Sequence, residues 1–158
     1  MRLLFLYFIL TCSVFARIGE TPAQIKDRYG KSFPIAGGET VISEGRILRF
    51  GKVLMYQPEG WTITATFLND KCERIRYKKT GTWTDAQVYA TLKANSNSQT
   101  WTRSQPFDKM QKHWVGVGSS TAYWHFSLGM DMKTNTYYKV IDRLKKDAVR
   151  KSKEVPNF

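Results

Sequence analysis

The chain has two histidines, His113 and His125. They fall in residues 112–117 and 121–128, where alternation of apolar and polar side chains predicts a final hairpin with Gly118-Ser119-Ser120 as its loop. That loop sets Trp114 opposite Trp124, with Ala122, Trp124, Phe126 and Leu128 facing inward. It also sets His113 opposite His125 on the outer face. Cross-strand partners lie about 4.5–5.5 Å apart at Cβ, so two imidazoles could share a metal ion. A zinc site wants a third ligand, and spacing fixes none; Asp108 and Asp131 are candidates by chain proximity alone. So incomplete a ligand set favours two solvent-exposed histidines. Ser119 and Ser120 could be imagined as nucleophiles, but no strained elbow surrounds them, and a hairpin tip is the usual home of Gly-Ser-Ser. Gly116-Val117-Gly118 is too short for a phosphate loop and does not open a helix. The sequence therefore assigns no catalytic residue, no metal and no cofactor. A small hydrolase or metal-dependent enzyme using His113 and His125 stands as an alternative function.

Cationic side chains give the stronger signal. Lys and Arg number 25 against 13 Asp and Glu, a net charge of +12. The excess is uneven: residues 71–81 hold five basic residues and one acidic, and residues 134–158 hold seven and three. Clustered positive charge attracts anionic partners, whether an envelope polymer, a lipid surface or an acidic protein. Arg74, Arg76 and Lys78 recur every second residue, about 6.6–6.8 Å apart along one strand face. Arg143, Lys146 and Arg150 lie on the last predicted helix. These six are the candidate anion-binding residues. The competing reading is a solvated surface with no partner.

The elements that hold these residues can be read from punctuation and period. Thr21, Pro22 and Gln24 form a capping box with proline at the first helical position. Ile25 and Tyr29 share a face, and Gly30 closes the turn. Residues 52–57, 61–68 and 71–78 read as strands, and residues 39–42 and 46–50 as a weaker hairpin. Trp61, Ile63, Ala65 and Phe67 alternate with threonines; Ile75 and Tyr77 alternate with Arg74, Arg76 and Lys78. A two-residue turn would put Ala65 opposite Arg74. A three-residue turn, or an equivalent bulge, puts Ala65 opposite Ile75 and Ile63 opposite Tyr77, and burial selects that register. The threonines then flank the cationic row on the outer face.

Thr84 and Gln87 open a second helix through Asn95, with Trp83 placed to staple onto Val88 and with Val88, Tyr89 and Leu92 facing inward. Another strand is expected to start at residues 101–103, before a polar loop through Pro106. A last helix spans residues 136–153, with Tyr137, Val140, Ile141, Leu144 and Ala148 as its apolar stripe and Pro156 beyond it. The stretch TPAQI at 21–25 echoes TDAQV at 84–88. The expected fold is a single two-layer α+β domain: an antiparallel meander sheet packed by short helices, built as two helix-then-strands units plus a C-terminal helix.

The first sixteen residues stand apart. Met1-Arg2, an apolar run from Leu3 to Leu10, and Val14-Phe15-Ala16 make the three parts of a secretory signal peptide, cleaved after Ala16. The run is well short of the roughly 20 apolar residues that span a bilayer. Acylation at Cys12 would make a lipoprotein, but Ile9-Leu10-Thr11 is a poor lead-in. Residues 17–158 then form the mature domain, periplasmic or secreted, without a transmembrane segment. Its one cysteine, Cys72, permits no internal disulfide. Export argues against nucleic acid as a partner.

RIGETPAQIKDRYGK resembles the mature start of a group of small uncharacterised exported bacterial proteins, in which arginine and Gly-Glu-Thr precede a helix ending Arg-Tyr-Gly. GWTITATFLNDKCERIRYKK and Leu92-Lys93-Ala94-Asn95 resemble the same group. More distantly, a helix closed by glycine and followed by a meander with an Asn-Asp-Lys hairpin looks like the small outer-membrane lipoprotein fold of the BamE and OmlA type. Neither resemblance implies an activity or transfers a functional residue. The expectation is an exported, non-enzymatic envelope or secreted protein that contacts an anionic partner through a basic surface. A secreted protein-binding or inhibitor module is a further alternative.

Overall fold

Thr21 and Thr84 each open a helix with a complete capping box, their hydroxyls accepting from Gln24 N and Gln87 N while the glutamine side chains reach back. In this computed structural model the structure describes residues 17–96, 100–104 and 110–154. The leader with Cys12, the 105–109 part of the polar loop with Asp108, and Pro156 lie outside them. The elements are α1 (Pro22–Tyr29), β1 (Ser32–Pro34), β2 (Glu39–Ser43), β3 (Arg46–Phe50), β4 (Lys52–Tyr56), β5 (Trp61–Leu68), β6 (Lys71–Lys79), α2 (Asp85–Ala94), β7 (Thr102–Arg103), β8 (Gln111–Val115), β9 (Thr121–His125), β10 (Gly129–Lys133) and α3 (Asn135–Lys153). They make one α+β domain with a C-terminal helix.

Eight strands form an antiparallel sheet in the order β1-β4-β5-β6-β10-β9-β8-β7, and β2 pairs with β3 as a separate hairpin. The order reads alike from both ends. Each half is a helix followed by a four-strand meander, and the last strands of the halves, β6 and β10, meet at the centre. The echo of TPAQI in TDAQV marks corresponding positions in the two halves. The β2–β3 hairpin interrupts only the first.

The β5–β6 register follows the burial argument. Ile63 opposes Tyr77 and Ala65 opposes Ile75, with Thr62, Thr64 and Thr66 beside Lys78, Arg76 and Arg74. A bulge supplies the odd residue: Thr66 pairs with Arg74 and Phe67 with Cys72, leaving Glu73 over. One face of the sheet thus presents Ile63, Ala65, Ile75, Tyr77, Met130, Met132, Trp114 and Trp124 to Ile25 and Tyr29 of α1 and Val88 and Leu92 of α2. Cys72 is buried among them as a free thiol.

Three expectations are corrected. First, Trp114 opposes Ala122, Lys112 opposes Trp124, and His113 opposes Tyr123. The chain uses residues 116–120 as the β8–β9 loop, with a 3-10 turn at Val117–Ser119, so the pairing shifts by two residues from that of a three-residue loop. Second, Phe126 and Leu128 are exposed, because β9 ends at His125 and the chain turns into β10. Third, Tyr89 is exposed, lying about 100° around the helix from Val88. Its ring still meets the edge of Trp114, at 6.3 Å between centroids, and Trp83 meets Trp61 edge-on at 5.1 Å.

Candidate functional site

The cationic row on β6 has the predicted register but not the predicted openness. Its face is roofed at one end by the β2–β3 hairpin and by α3, where Phe50 and Tyr137 pack ring to ring at 5.6 Å. Arg74 lies beneath that roof, with 15% of its side chain exposed. Its guanidinium forks onto Asp131, Nε to Oδ1 at 2.9 Å and Nη2 to Oδ2 at 2.8 Å. Nη1 donates to the Tyr137 hydroxyl at 2.9 Å and lies 3.1 Å from Glu39 Oε2. Burial opposes the charge on Arg74, but the hydrogen bonds and charge of Asp131, with Glu39 and Tyr137 behind it, hold the guanidinium above its ordinary range.

The surroundings finish the neutralisation. Glu39 Oε2 also accepts from Thr66 Oγ1 at 2.9 Å and lies 3.6 Å from Arg76 Nη2. Lys133 Nζ is 3.0 Å from Asp131 Oδ2. Arg76 keeps 41% side-chain exposure, and Lys78 is exposed. Of the three strand cations, one belongs to an internal network, one is shared, and one faces solvent. Sequence reasoning missed Glu39 because the hairpin that carries it folds over from a separate sheet.

The three helix cations lie elsewhere. Arg143, Lys146 and Arg150 are exposed on α3. Helical spacing adds Lys139 and Lys153 to the same line, since positions 139, 143, 146, 150 and 153 step by four and three. All five are exposed. On a 100°-per-residue wheel they fall within about 40° of one meridian, opposite Tyr137, Ile141, Leu144 and Ala148. The latter four are buried or half-buried. The line therefore points straight away from the domain and runs about 21 Å at 1.5 Å per residue. Arg150 is its most engaged member, 3.4 Å from Asp147 and 3.9 Å from Glu154. Asp142 and Glu154 are exposed to either side, with the half-buried Val149 and Val140 farther round the helix.

The histidines are brought near each other without meeting across a pair. Tyr123 stands between them, 6.4 Å from each ring, and donates to Gln111 Oε1 at 2.8 Å. His113 Nδ1 is 2.6 Å from Ser104 Oγ and His125 Nδ1 is 2.9 Å from Ser127 Oγ. Neither hydroxyl is one of the serines singled out in the sequence. Asp131, the other candidate ligand, is held by Arg74 and Lys133. Among the described residues no group of three or more His, Cys, Asp or Glu side chains could hold a metal ion.

A cavity of about 300 Å³ opens where the end of α2, the β8–β9 loop and the start of α3 converge, lined among others by Glu73, Asn95, Trp101, Ser120 and Thr136. Glu73, the bulged residue of β6, is tied to the first turn of α3. Its carboxylate accepts from the Thr134 hydroxyl and its carbonyl from Thr134 N at 3.0 Å. No helix among the described residues is long and apolar enough to cross a membrane. Comparison of the chain with protein-family models, with curated proteins and with solved structures found no match.

Proposed function

We propose that this is an exported, non-enzymatic envelope or secreted protein whose α3 contacts an anionic partner, through phosphate or carboxylate groups displayed on a polymer or a lipid surface. The observation that carries the reading is the line Lys139, Arg143, Lys146, Arg150, Lys153, exposed along its length and directed away from the buried face of the helix. Five cations on one meridian concentrate the field where an extended anion can follow them. With exposed acidic residues nearest the line and its apolar neighbours Val140 and Val149 half-buried, the contact is electrostatic and does not insert. The leader pattern of residues 1–16 and the resemblance of the mature start to exported bacterial proteins support export.

The test is sedimentation of the protein with vesicles containing phosphatidylglycerol, and in parallel with an anionic envelope polymer, at 20 mM and 300 mM salt. Screening shortens the reach of exposed charges to well under 10 Å at the higher salt. Binding to at least one probe is expected at low salt, falling at high salt and lost in Arg143→Glu/Lys146→Glu. Lys78→Glu, on β6 rather than on α3, is expected to bind as wild type does. Equal binding by the α3 double variant overturns the reading.

A second reading, a module that binds another secreted protein, rests on the hairpin. Ile42 and Ile47 oppose each other near its tip and are 72% and 65% exposed. Serine at both positions should abolish capture of such a partner while leaving the salt-sensitive binding intact.

A further inference from the structure

Residues 17–20 are fastened to the domain at several points. Ile18 is buried, and its N–H donates to Asn95 Oδ1 at 3.1 Å. Gly19 N donates to Cys72 O at 2.8 Å, and Cys72 N donates to Glu20 O at 2.9 Å, so this segment runs as an extra rung beside the start of β6. Glu20 N donates back to Arg17 O at 3.2 Å, closing a turn. That turn brings the main-chain nitrogen of Arg17 to 3.1 Å from Glu20 Oε2. The other carboxylate oxygen receives Arg28 Nη2 at 2.6 Å, and the Glu20 side chain is only 14% exposed.

The nitrogen that Glu20 holds is the one that leader removal would release, since Arg17 follows Ala16. We propose that hydrolysis of the Ala16–Arg17 bond sets the new α-ammonium of Arg17 on the Glu20 carboxylate, so that processing completes a clamp fastening the start of the mature chain to its core. The proposal rests on the export reading. In the step, a water adds across the peptide bond under the host signal peptidase. The Ala16 carbonyl takes the oxygen and leaves as a carboxylate, and the Arg17 nitrogen gains the protons that make it an ammonium.

The consequence is a change of interaction at an unchanged position. In the precursor the Arg17 nitrogen is a neutral amide donor. In the mature chain it is a cation facing a largely buried carboxylate, and a charge-assisted bond is roughly twice as strong as a neutral one. Glu20 then lies between two cations, the α-ammonium and Arg28. On β6, Cys72 and Tyr77 also feel its charge. Glu20 is one of the charges that push the thiol and the phenol up. An α-amine ordinarily titrates near 7.7–8.0, and an adjacent carboxylate favours its charged form. The clamp's stabilisation is therefore complete below that ordinary value and is lost as pH rises through the raised one.

The experiment uses the 158-residue chain expressed in an export-competent bacterium, with the mature product isolated and its N-terminus determined by mass. Thermal midpoints of wild type and Glu20→Gln are then compared from pH 6 to pH 9.5. A product beginning at Arg17 is expected, with a gap between the two midpoints that is widest at pH 6–7 and narrows above pH 8. Glu20→Gln removes one of the charges acting on Cys72, but burial, the larger cause, keeps the thiol protonated in both folded proteins over this range, so both lose stability to its titration alike. A gap that does not change with pH would assign Glu20 to Arg28 alone and overturn the clamp while leaving export standing. A product that retains the leader overturns the export reading itself, and one cut at another bond overturns the clamp. Should Glu20→Gln fail to fold, acylation of the wild-type α-amine at pH 7 decides the matter: it is expected to be slower in the native than in the urea-unfolded chain, and equal rates overturn the clamp.

Discussion

Arg74 on β6 and Asp131 on β10 grip each other through two parallel hydrogen bonds, at 2.9 and 2.8 Å, across the seam where the two halves of the sheet meet. The same guanidinium reaches up to Glu39 in the hairpin and to the Tyr137 hydroxyl in α3. One side chain thus ties together the two meanders and both elements of the roof. Its charge is spent inside the molecule, which moves the anion-binding proposal from the strand to the helix.

Removing that guanidinium should cost far more than removing an α3 cation. Arg74→Ala leaves Glu39 and Asp131 facing each other with reduced compensation in a partly buried site, and breaking such a pair costs about 3 kcal/mol or more. Arg74→Lys should recover only part, because an ammonium cannot reproduce the fork onto Asp131. Arg143→Ala should change stability by less than about 0.5 kcal/mol, as expected of an exposed site. Urea unfolding of the three variants reads the order directly; equal midpoints for Arg74→Ala and Arg143→Ala would contradict it.

Alkali should unfold the protein. Burial, helped by Cys72, pushes the Tyr56 phenol up to about 12. Burial also raises Tyr77 and Tyr137, and it raises the Cys72 thiol, with Glu73 and Glu20 adding to it. In each case the folded chain keeps a proton that the unfolded chain releases. Stability is therefore intact below the ordinary values and falls as pH rises through about 9 to 12. Urea midpoints at pH 8, 10 and 11 should decline in that order, and a thiol reagent should label Cys72 at pH 8 only in the presence of denaturant.

Local signals in the sequence specify the parts of the fold they touch. Thr21 and Thr84 announce their helices because an N-cap is read within four residues. Ala65 against Ile75 is fixed because a one-residue slip would bury arginine, and the chain inserts Glu73 to avoid it. β10 escaped notice although Met130 and Met132 alternate with Asp131 and Lys133, because Phe126 and Leu128 prolong the pattern of β9 past its end. Losing that strand hid the partner of β6 and made Asp131 look like a stray ligand. The roof over Arg74 depends on the long-range docking of Glu39 and Tyr137, which no local period encodes.

The two capping boxes offer a test of how independent the halves are. Thr21→Ala and Thr84→Ala should each cost about 1 kcal/mol, the usual value of a lost N-cap. The helices belong to different meanders, so the double variant should lose the sum to within about 0.5 kcal/mol. A marked departure in urea unfolding would mean that the starts of α1 and α2 communicate through the sheet.

The seam itself can be attacked at Gly129. This residue opens β10 with φ at +83°, and a Cβ placed there would lie 2.1 Å from the Tyr77 carbonyl oxygen and 3.3 Å from Lys78 Cα. Those atoms are backbone of β6, so no rotamer change relieves the contact; β10 must move away from β6. Gly118 provides the control, with φ at +70° but nothing within 4 Å of the same added atom. Alanine at 118 should cost only the left-handed backbone penalty, about 1–2 kcal/mol. Alanine at 129 bears that penalty as well and must also part the strands that Arg74 and Asp131 join, so its urea midpoint should fall well below that of Gly118→Ala. If the two variants unfold together, β10 can leave β6 at little cost, and the palindromic sheet is not held at its centre.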